Sequence, residues 1–306
     1  MVETRERSGK LQASGYFLIS AVFHYLGPSL AFLLFAHVGP AGVAWLRIAS
    51  AAVVFAVWRR PWRVWARAPV RERVVLVALG GVLGAMNTVF YLAIARLNLA
   101  TVGTIEFVGV IGVAVAGTRT RRNLVALLIT IAGVAALTAH AFATNRLGLA
   151  LAFLNAAGFA LYIVLGHHIA NEPRSGEPST SPRLAGIDRL GLSMIIAAVI
   201  TSAWGLRPAW PSFVHPAWLA WGVGVGVCSS VIPYVTDQLA MARIGRAAFA
   251  LMMALLPASA AIIGAVVLHQ IPTGPELLGI GLVIIGILLH REVHQDHFRP
   301  ADREFG

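Results

Sequence analysis

Four ionisable side chains stand inside long apolar runs of this sequence: His24, Arg47, Glu106 and Asp237. At the centre of a membrane helix such a group costs about 2.5–3.5 kcal/mol, so each needs a partner or a task. His24 lies one turn before Gly27-Pro28. Imidazole is suited to carrying a proton near neutral pH, and the alternative is a neutral ring bonded to a neighbouring helix. Arg47 and Glu106 each lie about six or seven residues inside their runs, which is equal depth at about 1.5 Å per residue. They can form a buried pair, or open to grip a zwitterion. His24, Arg47 and Glu106 are therefore a candidate proton and charge network. Asp237 is nearer a run's end, where it lines a pathway or reaches the interface.

Uncharged polar residues extend this set along helical stripes. Gly80, Gly84, Asn87 and Tyr91 recur at spacings of one turn, small at one end and polar at the other. Gly222, Gly226, Ser229, Pro233 and Asp237 form a second stripe with Tyr234 beside it, and Asn155, Tyr162 and Gly166 a third. Small residues let helices approach closely. Pro233 removes a backbone donor and frees a carbonyl one turn back. One stripe alone is helix packing; three together point to a central polar cavity. The expected substrate pathway is Asn87, Tyr91, Glu106, Asn155, Tyr162, Tyr234 and Asp237. Gly80, Gly84, Pro28, Pro233 and Pro257 are the expected packing and hinge positions.

Other constellations carry less. His290, His294 and His297 have metal-ligand spacing on a possible helical extension, but a solvated tail accounts for them. His167-His168 is a weak signal of the same kind. Cys228 is the lone cysteine and sits in an apolar run, as a packing residue does. No metalloprotease, nucleophile-elbow or phosphate-loop pattern occurs, so no catalytic residue, metal or cofactor is expected.

The elements that hold these residues follow from composition. Of 306 residues, 58% are hydrophobic and 12% charged, about half the charged fraction of a soluble domain. Lipid is the implied solvent. Apolar runs of about 20 residues fall at 14–36, 41–58, 74–95, 99–117, 123–141, 147–168, 187–206, 218–240, 247–268 and 274–290. This is an all-α integral membrane protein with ten expected transmembrane helices. The net charge of +11 resides mostly in Arg between runs, without the exposed aromatics of a nucleic-acid groove. Arg59, Arg60, Arg63, Arg67, Arg71 and Arg73 crowd one connection, whereas Arg96, Arg146 and Arg207 stand alone in others. This asymmetry places both termini in the cytoplasm of a multi-pass plasma (inner) membrane protein. The first run is too long for a signal-peptide core, and no small-residue cleavage site follows it, which predicts an uncleaved first helix. The loop Asn171–Arg183, rich in Pro, Ser, Glu and Gly, reads as a flexible linker.

The chain also repeats itself. Tyr91-Leu-Ala-Ile-Ala-Arg96-Leu aligns with Gln238-Leu-Ala-Met-Ala-Arg243-Ile, and each is followed by a small-residue helix and then a Gly-bearing one. The expected order is a cytoplasmic N-terminus (1–13), a first five-helix repeat (14–141), a second (147–290, with linker 169–186) and a cytoplasmic tail (291–306). An odd number of spans per repeat inverts the second copy. Inverted repeats with a mid-membrane site between them are a transporter architecture.

Trp45-Leu-Arg-Ile, Gly81-Val-Leu-Gly-Ala-Met-Asn87-Thr-Val-Phe-Tyr91, Ile105-Glu106-Phe-Val-Gly109 and Ile232-Pro-Tyr-Val-Thr-Asp237 resemble the drug/metabolite transporter superfamily. Within it the chain is most similar to the EamA-type threonine/homoserine exporters, over nearly all of 15–290. The resemblance implies ten helices in two repeats, alternating access, and efflux of amino acids or metabolites, coupled to protons. Three positions depart from the pattern: Val110 where relatives usually have Pro, Leu256 before Pro257 where they show Glu, and His269-Gln270 in place of Gly-Glu. The expected partners are a small-molecule substrate, protons and the lipid bilayer, and not nucleic acid; oligomeric state is left open. An intramembrane enzyme acting on lipid would need a converging acid/base set or metal ligands, and a non-transporting scaffold would need no polar cavity. The sequence favours neither.

Overall fold

The computed structural model describes residues 2–117, 120–171, 182–233, 235–236 and 256–289. Among them the regular structure is helical: α1 (Val2–Val38), α2 (Pro40–Arg59), α3 (Trp62–Arg67), α4 (Val70–Ile94), α5 (Leu99–Gly117) and α6 (Arg121–Thr144). There follow α7 (Arg146–Asn171), α8 (Pro182–Val214), α9 (Pro216–Gly226) with a π-helical turn (Val227–Val231), α10 (Leu256–Leu268) and α11 (Gly274–Leu289). Tyr234, Asp237, His290, His294 and His297 lie outside the described residues, as do parts of the expected eighth and ninth spans, of the linker and of the tail. So do the side chains of Val110, His167 and His168.

Among the described residues, five helical segments are long and apolar enough to cross a membrane: Ile19–Val38, Pro40–Arg59, Val70–Ile94, Arg121–Ala139 and Gly186–Val214. Leu99–Gly109, Arg146–Tyr162, Pro216–Val231, Leu256–Leu268 and Gly274–Leu289 are apolar but shorter. The protein is an all-α, multi-pass membrane bundle. Its details differ from the expected spans. α1 already begins at Val2, the Arg-rich connection holds the short helix α3, and α8 continues through Pro208 and Pro211 to Val214.

Local chemistry sets the helix ends. Gly39 has φ +76°, which a glycine adopts without a Cβ clash, and Pro40 then opens α2 where no amide is needed. Thr120 caps α6 by accepting from the Asn123 amide at 3.2 Å. At the start of α11 the Glu276 carboxylate reaches back, accepting from the Thr273 amide at 2.7 Å and from its hydroxyl at 2.9 Å. Inside the spans, hydroxyl groups are returned to their own helix: Ser29, Thr104, Thr130 and Thr201 each donate to the carbonyl four residues back. This removes the cost of a bare hydroxyl in an apolar setting.

Glycines allow the tightest approaches. A Cβ on Gly133 would stand 2.8 Å from the Gly279 carbonyl oxygen, and one on Gly279 2.6 Å from that of Gly133, so α6 and α11 cross backbone to backbone. Gly80 meets Ile196 and Ser193 of α8, and Gly84 meets Thr201 and Ala197. That half of the α4 stripe is a packing seam. α8 is also fastened to α2 and α4 by ions. Arg59 holds Asp188 with two bonds, 2.7 and 3.1 Å long, and Arg189 holds Glu72 at 2.8 Å. Exposed tryptophans stand at both ends of the bundle, with Trp58, Trp62 and Trp65 at the arginine-rich end and Trp204, Trp210 and Trp221 at the other, as interfacial aromatics do.

Candidate functional site

The polar centre is assembled from six helical elements. Arg47 is carried on α2, one turn below Val43, and is only 7% exposed. Its Nε donates to Ser230 Oγ at 3.0 Å, and a terminal nitrogen donates to the Ser229 carbonyl at 3.0 Å. The reason is local to α9. Pro233 has no N–H with which to close the helical bond onto residue 229, and the chain widens into a π turn over Val227–Val231. Such turns expose backbone groups and recur at functional sites. Arg47 takes a carbonyl within this turn, that of Ser229, four residues before Pro233.

The Arg47 guanidinium also lies over the Tyr91 ring, 5.5 Å from its centroid, a favourable cation–π placement. The Tyr91 hydroxyl neighbours Ser229, yet neither hydroxyl completes a hydrogen bond. α1 closes this side. A Cβ on Gly27 would strike Ser229, its backbone nitrogen 2.8 Å away, so only glycine lets α1 lie against the π turn. His24, one turn earlier, is within electrostatic reach of Arg47.

Glu106, 6% exposed on α5, faces the same centre. It is within electrostatic reach of Arg47 and Tyr25 and beside Asn155 of α7. The Tyr25 ring fills the space where Gly103 lacks a side chain, its hydroxyl 3.0 Å from a Cβ placed there. Tyr25 and Asn155 are fully buried, and the Tyr25 hydroxyl and both amide atoms of Asn155 have no hydrogen-bond partner. Buried polar atoms are almost always paired, so this concentration of open donors and acceptors marks a place shaped for something else.

The structure thus brings together His24, Arg47, Tyr91, Glu106 and Asn155. Of the two arrangements open to Arg47 and Glu106, the direct pair is not formed; serines of the π turn hold the guanidinium, and the carboxylate feels it through space. Asn87 turns its amide back to the Leu83 carbonyl at 2.8 Å. Tyr162 stacks on Phe159, 5.9 Å between centroids, within a separate apolar cluster shared with α4 and α8. Pro257 is buried at the start of α10 and Pro28 lies within α1. Tyr25 and Ser230 escaped the sequence reading. Tyr25 adjoins His24, and Ser230 adjoins the stripe residue Ser229; neither falls on a polar stripe itself. The described residues contain no group of three or more His, Cys, Asp or Glu able to hold a metal.

Comparison with known proteins decides what kind of molecule carries this centre. Residues 146–291 match the EamA-like transporter family. The threonine/homoserine exporter RhtA of Escherichia coli (strain K12) is 30% identical over 261 residues, 84% of each chain. The exporter of that name from Salmonella typhimurium (strain LT2) matches with the same identity and coverage.

The chain belongs to the EamA-like transporter family.

A solved crystal structure shares the fold of this EamA-like protein, with a TM-score of 0.50, 15% identity, and coverage of 92% of this chain and 96% of that one. The protein is a multi-pass membrane transporter of small metabolites, and its family is one of transporters, not enzymes. Against this background, the family position occupied by Leu256 is buried and apolar, 3% exposed. Gln270 accepts from the Leu99 amide at 2.9 Å, and Glu276 accepts from Asn98 at 3.2 Å. The loop before α11 and the first turn of α11 together therefore hold the start of α5, the helix that carries Glu106.

Proposed function

We propose that this transporter exports small neutral amino acids, with threonine and homoserine the first candidates, by alternating access coupled to inward proton movement. The observation that carries the proposal is the set of buried, unpartnered polar atoms on Tyr25, Tyr91, Asn155 and Ser229 beside one buried arginine and one buried glutamate. A zwitterion needs an anion for its ammonium and donors for its carboxylate. Glu106 supplies the first; Arg47 and the tyrosine hydroxyls supply the second. Asn87, Tyr162, Tyr234 and Asp237 are proposed, from the sequence pattern, as further residues of the pathway. Protonation of Glu106 weakens the grip on the ammonium and releases cargo, and His24 is the companion proton carrier. The named cargo of the RhtA relatives supports the amino-acid class.

The architecture proposed with this function is ten spans in two inverted five-helix repeats, 14–141 and 147–290, with both termini cytoplasmic. Reciprocal contacts support it. Gly133 meets the Gly279 carbonyl and the Val283 amide nitrogen, while Gly279 meets the Gly133 carbonyl and the Leu137 amide nitrogen. Exchanging the repeats with an offset of 146 residues, from 133 to 279, maps each contact onto the other. A two-fold axis through the α6–α11 crossing would produce that pattern.

The test is counterflow in proteoliposomes loaded with threonine. Uptake of labelled threonine and homoserine that is absent from empty vesicles is the expected result. No exchange of any neutral amino acid would overturn the cargo.

A further inference from the structure

Asn155 is a polar side chain of the centre that a zwitterion's charged ends leave unassigned. Other asparagines of the bundle are used structurally. Asn87 donates to Leu83, Asn98 to Glu276, and Asn145 both donates to Arg96 and accepts from Gly148. Asn155 is 0% exposed; it lies close enough to the Glu106 carboxylate to interact with it, but neither amide atom completes a hydrogen bond of regular geometry. Its position is fixed by backbone contact. A Cβ on Gly109 would strike the Ala156 carbonyl, so α5 and α7 touch at this level, one turn from Glu106. Gly158 lies against Met86 of α4, which holds α7 from the other side. The amide is thus presented rigidly beside the carboxylate, with a donor and an acceptor in one plane.

We infer that Asn155 is the specificity-determining residue of this transporter and binds the side-chain hydroxyl of hydroxylated amino acids. A hydroxyl both donates and accepts, and so matches a primary amide on both counts. A methyl group of the same size matches neither, and leaves the buried amide bare. Threonine and valine differ in just this way, as do homoserine and norvaline. Apolar pockets separate such isosteres weakly, whereas a site built to hydrogen-bond the hydroxyl rejects the analogue lacking it by several orders of magnitude.

This inference rests on the amino-acid cargo proposed above, and its test separates the two. In threonine-loaded proteoliposomes of the wild-type protein, homoserine should compete with labelled threonine at least about tenfold better than norvaline, and threonine better than valine by a similar factor. In Asn155→Leu the threonine-to-valine ratio should fall about tenfold or more. Asn155→Ser, smaller and still able to hydrogen-bond, should retain part of it and serves if the leucine variant does not fold. Equal competition by the isosteres in wild type would overturn the inference while leaving the amino-acid cargo intact. So would equal losses for both substrates in the variants, which would reduce Asn155 to a prop for Glu106. Absence of threonine exchange in wild type would overturn both.

Discussion

Arg47 of α2 is bound to the carbonyl of Ser229, within the π turn and four residues before Pro233, which has no N–H to offer it. The bond ties a charged group of the first half of the chain to a backbone defect of the second. A charge-assisted hydrogen bond of this kind contributes about 1.5–3 kcal/mol.

It follows that Pro233→Ala should affect more than one side chain. The restored amide would compete for the Ser229 carbonyl and draw the π turn toward a regular helix. Transport should fall by an order of magnitude or more, with thermal stability in detergent held or raised. Arg47→Gln should instead lower stability by about 2 kcal/mol or more. Unchanged flux in Pro233→Ala would show that the turn has no part in transport.

The glycine crossing of α6 and α11 gives a sharper structural test. Gly133→Val places a branched side chain against the Gly279 carbonyl and should cost about 1–3 kcal/mol or prevent assembly. Gly281→Val has open space around it and should be close to neutral. Melting temperatures of the two purified variants decide the matter; similar values would contradict the close approach.

Topology is tested by reporter fusions. Fusions after residues 38, 97, 145, 212 and 271 should report the outside, and those after 66, 120, 178 and 300 the cytoplasm. An outside signal at 178 would remove the inverted repeat.

Glu106→Gln should leave a folded protein that no longer protects cells from toxic external threonine or homoserine. Wild-type flux in vesicles should fall when the proton gradient is collapsed. Full flux without a gradient would discard proton coupling, and full protection by Glu106→Gln would discard the site.

Much of this could be read from the residues themselves. Ionisable groups in apolar runs are expensive enough that Arg47 and Glu106 announce themselves, and Pro233 forecasts a free carbonyl. What one sequence does not carry is azimuth. Equal depth made an Arg47–Glu106 pair reasonable, but which way each helix faces is set by glycine contacts distant in sequence, such as Gly27 against Ser229 and Gly226 against the Arg47 carbonyl. Tyr162 illustrates the same point. Its stripe points to Asn155 on paper, yet the side chain stacks on Phe159 in another cluster. Tyr25 was missed because an aromatic residue in an apolar run looks like packing until its hydroxyl proves to lack a partner.

The paired ions at the start of α8 have a consequence for assembly. Asp188 and Arg189 are sequence neighbours, so they project about 100° apart around the helix. Each meets an opposite charge on a different helix, Arg59 on α2 and Glu72 on α4. Rolling α8 by one residue would set Arg189 against Arg59 in one direction, or Asp188 against Glu72 in the other, and would leave the remaining ion facing Leu190 or Ile187. The two bonds together act as a rotational key. Of the faces α8 can offer, they admit the one in which Ser193, Ile196 and Ala197 meet the glycines of α4.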